Sequence, residues 1–168
     1  YIDETKIEIR PIKVDIDKIE NTPISVDLHK KYPQFEKIVL MASRIEKEKN
    51  IDMAIRSFSV LSKMRQNVGL IIVGSGKEKE YLKNLAKELC IEKLVIFEDW
   101  NDDIVSYYKT CDIFLLTSWY EGYGMSLVEA QACGAKVVST DVGIAKELAI
   151  KTVKYNEDSI AWGIMEYL

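Results

Sequence analysis

The sequence predicts an α/β domain built on a single doubly wound, parallel sheet, and three observations carry that prediction. Short, near-continuous apolar runs, among them Lys37–Ala42, Leu70–Val73 and Asp112–Leu116, recur along the chain. Strands without polar alternation are buried on both faces, as in a parallel sheet covered by helices. Stretches with helical periodicity separate these runs, and right-handed crossovers through them keep the strands parallel. The chain has 168 residues, and a domain of this size buries roughly 70% of its unfolded surface.

Each element has its own signal. Lys37–Ala42 reads as the first strand, and Ile51, Ala54, Ile55, Phe58, Leu61 and Met64 follow at helical spacing. Leu70–Val73 is the next strand, and Tyr81, Leu82, Leu85, Ala86 and Leu89 mark one face of a second helix. Leu94–Phe97 forms a strand, followed by a short helix with Ile104, Val105, Tyr107 and Tyr108. Asp112–Leu116 is a strand, and a helix opens at Gly124. Lys136–Ser139, a brief helix near Ala145–Leu148, Val153 with its neighbours and a final helix from Asp158 complete the series. Residues 1–36 differ: they are charged, interrupted by Pro11, Pro23 and Pro33, and weakly periodic. They read as a linker leading into a domain that spans 37–168. Ligands of such sheets bind at the carboxyl ends of the strands.

Composition narrows the function classes. The chain is 48% hydrophobic and 30% charged with a formal charge of −4, which gives no support to nucleic-acid binding through a basic face. No apolar run approaches the roughly 20 residues of a membrane span and no signal-peptide pattern opens the chain. A cytoplasmic location is expected. Cys90, Cys111 and Cys133 lack metal-ligand spacing and each sits in an apolar context, so all three are expected to be buried, reduced thiols. A start at Tyr1 instead of methionine suggests a fragment.

The chemistry concentrates in Glu121-Gly-Tyr-Gly-Met-Ser-Leu-Val-Glu129, which joins a strand to a helix. Gly122 and Gly124 let backbone amides crowd a bound group, and amides at a helix N-terminus favour a phosphate. Two ionised carboxylates are pure hydrogen-bond acceptors and suit hydroxyl groups. A phosphate cradle with hydroxyl-binding arms describes a site for a nucleotide sugar.

This segment resembles the Glu-x7-Glu motif of retaining glycosyltransferases with the two-domain GT-B fold, in particular glycosyltransferase family 4. Arg44 and Lys49 fall where that family has an Arg-x4-Lys pair, Leu70–Gly76 resembles its strand and Gly-x-Gly turn, and Ala130–Val138 resembles a further family run. Ile7–Asp15 resembles its crossing from acceptor domain to donor domain. The pieces occur in the family's order over residues 37 to 150.

The resemblance implies that this chain is one Rossmann-like half of a GT-B enzyme, with an N-terminal acceptor domain missing from it. It implies a nucleotide diphosphate sugar as donor and a glycan or lipid-linked sugar as acceptor, with no cofactor and no metal. Any membrane association would reside in the missing domain. Arg44, Lys49 and Glu121 would be catalytic: the two cations stabilise the departing diphosphate and Glu121 holds the transferred sugar. Gly122, Tyr123, Gly124, Met125 and Ser126 would bind the donor, with Glu129 on the ribose, Gly74 and Gly76 in a second turn, and Trp100 near the nucleobase. Ser43, Thr117, Lys136 and Ile144 depart from the family pattern, which leaves the donor's identity open.

Competing readings attach to several residues. Arg44 and Lys49 also fit a solvated charge cluster with Glu46, Lys47 and Glu48. Gly74-Ser-Gly76 also fits a tight turn, and it is no dinucleotide fingerprint, because Lys79 stands where a third glycine belongs. The next strand also lacks the usual terminal acidic residue, against a nicotinamide cofactor. Asp15 and Asp17 fit helix capping better than metal binding. Trp119, Tyr120 and Tyr123 divide between packing and sugar contact, and His29 reads as structural or surface. No nucleophile–histidine set for hydrolysis is present. A noncatalytic nucleotide-binding module and a sugar-nucleotide epimerase-like domain are the alternatives on this fold.

Overall fold

The computed structural model describes residues 14–168 apart from Ala149. Most of Ile7–Asp15, the expected crossing segment, lies outside the described residues. Two short helices lead in, α1 (Ile16–Asn21) and α2 (Leu28–Lys31). Then come β1 (Lys37–Ala42), α3 (Ile51–Met64), β2 (Val68–Val73), α4 (Lys79–Glu88), β3 (Val95–Glu98), α5 (Ile104–Thr110), β4 (Ile113–Leu116), α6 (Met125–Ala132), β5 (Lys136–Thr140), β6 (Lys151–Val153) and α7 (Glu157–Met165). The six strands pair in the order β3-β2-β1-β4-β5-β6, and every pairing is parallel.

The apolar strands split their side chains between two cores. Val39 and Met41 of β1 join α3, α4 and α7 on one face. Ile38, Leu40 and Ala42 join α2, α5 and α6 on the other. Because every strand points the same way, the loops after β1, β2, β3, β4 and β5 gather at one end of the sheet. The strand order reverses between β1 and β4, so the loops 43–50 and 117–124 flank the switch point.

Several details depart from the sequence expectation. The stretch Ala145–Leu148 is a series of turns, not a helix. Ile144 N donates to Tyr123 O at 2.9 Å and Gly143 adopts φ 53°, which pins this loop before a helix can wind. Cys111 is buried, but Cys133 is half-buried and Cys90 is exposed. Cys90 sits just past α4 at φ 58°, and Ile91 N donates to Ala86 O at 2.9 Å, so the closing turn of the helix directs its thiol outward. Residues 28–36, part of the expected linker, pack into the domain through Leu28 and Phe35, both buried. Asp15 caps α1 as the sequence suggested, accepting from Lys18 N at 2.9 Å. His29 Nε2 lies 3.2 Å from Asp112, at the amino end of the sheet. Among the described residues no helix is long and apolar enough to cross a membrane.

Candidate functional site

The site is built from two loops that meet at the switch point. After β1 the chain forms a 3-10 turn at Lys47–Lys49 and passes through Asn50, at φ 51°, into α3. Asn50 tolerates this left-handed conformation better than most residues. Its side chain is buried and donates to Thr117 O at 3.1 Å, while Thr117 Oγ1 reaches Asn50 O at 2.9 Å and Lys49 O at 3.1 Å. Trp119 N donates to Glu48 O at 3.0 Å. These bonds fix the loop after β1 to the loop after β4.

Lys49 and Glu121 come together as a result. Lys49 Nζ lies 2.7 Å from Glu121 Oε1, and the two side chains are only 14% and 15% exposed. Ser118 Oγ donates to the same oxygen at 2.7 Å. Arg44 stands apart: its side chain is 73% exposed and its guanidinium pairs with Glu48 at 2.9 Å, four residues on in sequence. Arg44 is within the same loop but does not join the Lys49–Glu121 pair in this state.

Gly122, Tyr123 and Gly124 make the turn into α6. Gly124 is the N-cap at φ 96° and supplies no side-chain acceptor. The first-turn amides, including those of Met125 and Ser126, are therefore without a side-chain cap, the condition under which a helix N-terminus takes an anion. The loop after β5 braces this turn. A Cβ on Gly143 would lie 2.2 Å from Tyr123 O, so only glycine allows that approach.

Glu129 lies in the second turn of α6 and faces a cavity of about 290 Å³ with Met125, Ile104 of α5 and Ile19 of α1. Burial raises its pKa, and no charge partner offsets the effect. Lys18 and Asp15 lie on the same wall. The two glutamates thus serve different surroundings: Glu121 the switch point, Glu129 a half-apolar pocket beside it.

Gly74 and Gly76 are held by the loop after β1. A Cβ on Gly74 would lie 1.9 Å from Ser43 O and one on Gly76 2.1 Å from Ile45 O. Ile45 N donates to Ser75 O at 2.8 Å. Their contacts are with the loop that carries Arg44 and Lys49. Trp100 is exposed on the loop after the edge strand β3, its Nε1 donating to Asp102 at 3.2 Å.

An acidic residue does close β3, contrary to the sequence expectation. Glu98 is that residue, but its carboxylate takes bonds from Lys31 at 2.6 Å, Tyr107 at 2.6 Å and Tyr32. With its acceptors committed, it is not offered to a ribose.

Sequence reasoning singled out neither Asn50, Ser118 nor Tyr155. A buried asparagine at a strand-to-helix junction is a detectable signal. Tyr155 gives none, because its partner carbonyls, Ser118 O at 3.2 Å and Trp119 O at 3.4 Å, lie far away in sequence. Among the described residues no group of three His, Cys, Asp or Glu side chains could hold a metal.

An uncharacterized glycosyltransferase of Methanocaldococcus jannaschii is 34% identical over 137 residues, covering 77% of this chain and 35% of that protein. The N-acetyl-alpha-D-glucosaminyl L-malate synthase of Bacillus anthracis is 32% identical over 118 residues, covering 69% and 31%. The chain therefore spans about a third of the length of these curated relatives. The structure of Anabaena HepE in complex with UDP is 27% identical with a TM-score of 0.77, covering 91% of this chain and 45% of that one. A glycosyltransferase structure from Rickettsia africae shares the fold at a TM-score of 0.85 and 23% identity, over 99% of this chain and 48% of its own. The family pattern described as glycosyl transferases group 1 matches residues 27–168, and with the relatives above this places the chain in the group 1 glycosyl transferase family.

Proposed function

We propose that this chain is the donor-binding, C-terminal half of a retaining glycosyltransferase that moves a hexosyl group from a nucleotide diphosphate sugar to a glycan or lipid-linked acceptor. The observation that carries the reading is the meeting of Lys49 and Glu121 at the switch point of the sheet, beside the uncapped N-terminus of α6.

On donor binding Lys49 exchanges Glu121 for the diphosphate, and Arg44 exchanges Glu48 for it. The guanidinium forks onto phosphate oxygens and the ammonium adds a point charge. With the first-turn amides of α6 they stabilise negative charge as the diphosphate departs, from positions set before the reaction begins. No metal is needed for that role. Glu121, released from Lys49, accepts hydrogen bonds from the transferred sugar, and Glu129 accepts from the ribose hydroxyls in its cavity. Trp100 sits nearer the nucleobase.

A bound UDP in the HepE structure supports a nucleoside diphosphate as the core ligand. Transfer requires a cleft that closes and excludes water, and in this reading an N-terminal acceptor domain supplies its other wall. The isolated chain then binds donor without appreciable turnover, in the cytoplasm, with any membrane contact made by the acceptor side.

The test is thermal unfolding of this chain with UDP, GDP and ADP, each with and without EDTA. One of the three should raise the melting temperature, by the equivalent of about 2.7 kcal/mol at a hundredfold excess over Kd, and EDTA should leave the rise unchanged. No rise with any of them, or a rise that EDTA abolishes, contradicts the reading.

A further inference from the structure

A cavity of about 540 Å³ lies on the other side of the Lys49 loop, between that loop and the N-termini of α3 and α4. Trp119 and Tyr81 stand on its wall, 53% and 50% exposed. Large aromatics left in water beside a cleft mark an interaction surface. Trp119 is held firmly there: its ring stacks on Tyr155 at 4.7 Å and 16°, and its amide is bonded to Glu48 O. An apolar plate is thus fixed at the cavity before any ligand arrives, which lowers the entropic cost of binding.

Glu46, Asp52 and Glu78 line the same cavity, with Lys47 as the one cation on its wall. Four neighbouring basic side chains are committed elsewhere, Lys49 to Glu121, Arg44 to Glu48, Lys79 to Asp99 and Lys83 to Glu80, and neither Lys77 nor Arg56 lines the cavity. Three carboxylates against one lysine oppose a phosphate or an anionic glycan. They are acceptors for hydroxyl donors, while the aromatic plate suits the C–H face of a pyranose ring. Trp119 is two positions from Glu121, so a ligand on this wall lies beside the switch point.

We propose that this cavity binds a neutral oligosaccharide segment of the acceptor, with Trp119 and Tyr81 as stacking surfaces and the three carboxylates as hydroxyl acceptors. Calling the sugar an acceptor rests on the function proposed above; sugar binding at this wall does not depend on the diphosphate clamp.

The test is saturation-transfer NMR and tryptophan fluorescence of the 168-residue chain with maltotriose, chitotriose and mannotriose, with and without a saturating mixture of UDP, GDP and ADP. At least one trisaccharide should bind, and the bound state should persist with the diphosphates present. Trp119→Ala should weaken that binding at least fivefold, and so should Tyr81→Ser, whose site on the exposed face of α4 carries the test if the tryptophan variant does not fold. Binding of none of the three, displacement by the diphosphates, or wild-type binding in Tyr81→Ser overturns the proposal. Diphosphate binding measured on the same samples reports separately on the donor reading, so the two failures are distinguishable.

Discussion

Lys49 Nζ lies 2.7 Å from Glu121 Oε1, joining the loop after β1 to the loop after β4 at the point where the strand order reverses. Ser118 gives the carboxylate a second donor at 2.7 Å. Both charges are largely withdrawn from water, so each depends on the other until a ligand supplies a replacement. Under the proposed function a diphosphate is that replacement for Lys49 and a sugar hydroxyl is that for Glu121.

Removing one partner should therefore cost more than removing both. Lys49→Ala leaves Glu121 with Ser118 alone and is expected to lower stability by about 1–3 kcal/mol, less than for a fully buried pair. Adding Glu121→Ala should recover part of the loss, with a coupling of about 1–2 kcal/mol in a double-mutant cycle by urea unfolding. Strictly additive losses would show that the pair contributes nothing to the fold.

Glu129 should show opposed effects on stability and binding. Burial raises its carboxyl pKa. A folded-state value above the unfolded one means that stability falls as pH rises through that range, so at neutral pH the fold bears an ionised, half-buried carboxylate. Glu129→Gln should raise the melting temperature at neutral pH while weakening nucleoside diphosphate binding, by about 1–3 kcal/mol if charged bonds to hydroxyls are lost. Thermal unfolding and calorimetry on one preparation check both signs.

The brace behind the α6 turn gives a third expectation. Gly143 has φ 53° and approaches Tyr123 O too closely for any side chain. Gly143→Ala should cost about 1–3 kcal/mol of stability and also weaken diphosphate binding, because the amides of the Gly122–Gly124 turn shift with it. Unchanged affinity in a destabilised but folded variant would uncouple the brace from the site.

Glu98 sets an acid limit on the domain. Burial pushes its carboxyl up, but hydrogen bonds from Lys31, Tyr107 and Tyr32 outweigh this and hold the group below its ordinary value. A depressed folded-state pKa gives stability that is present above the unfolded carboxyl value of about 4.3 and lost as pH falls through the folded one. Glu98→Gln should destabilise the domain at neutral pH and flatten its acid unfolding curve, followed by circular dichroism below about pH 4.3. An unchanged slope would show that other carboxylates govern acid unfolding.

The sheet was legible because its strands are apolar on both faces: Leu40 and Met41 are adjacent and feed opposite cores. The longer helices were legible from period alone. In residues 14–36 only the capping aspartate Asp15 was legible, since α1 has six residues and α2 four, and both depend on Leu28 and Ile19 packing against the domain. Periodicity does not register elements that short. Ala145–Leu148 carries helix-compatible residues, yet a tertiary bond to Tyr123 overrides them. Within the site, sequence placed Lys49 and Glu121 on the right loops but not in contact. For Arg44 the solvated charge cluster was legible, and its guanidinium pairs with Glu48 within it.

The most direct test of the central claim is calorimetry on Glu121→Ala with a nucleoside diphosphate and with its hexose conjugate. Because Glu121 competes for Lys49 in the free protein, the variant should bind the bare diphosphate as well as the wild type or more tightly. The conjugate should bind more weakly, by about 1–3 kcal/mol, since the acceptor for its sugar hydroxyls is gone. A Glu121→Ala variant that loses the bare diphosphate as severely as the conjugate would contradict the account.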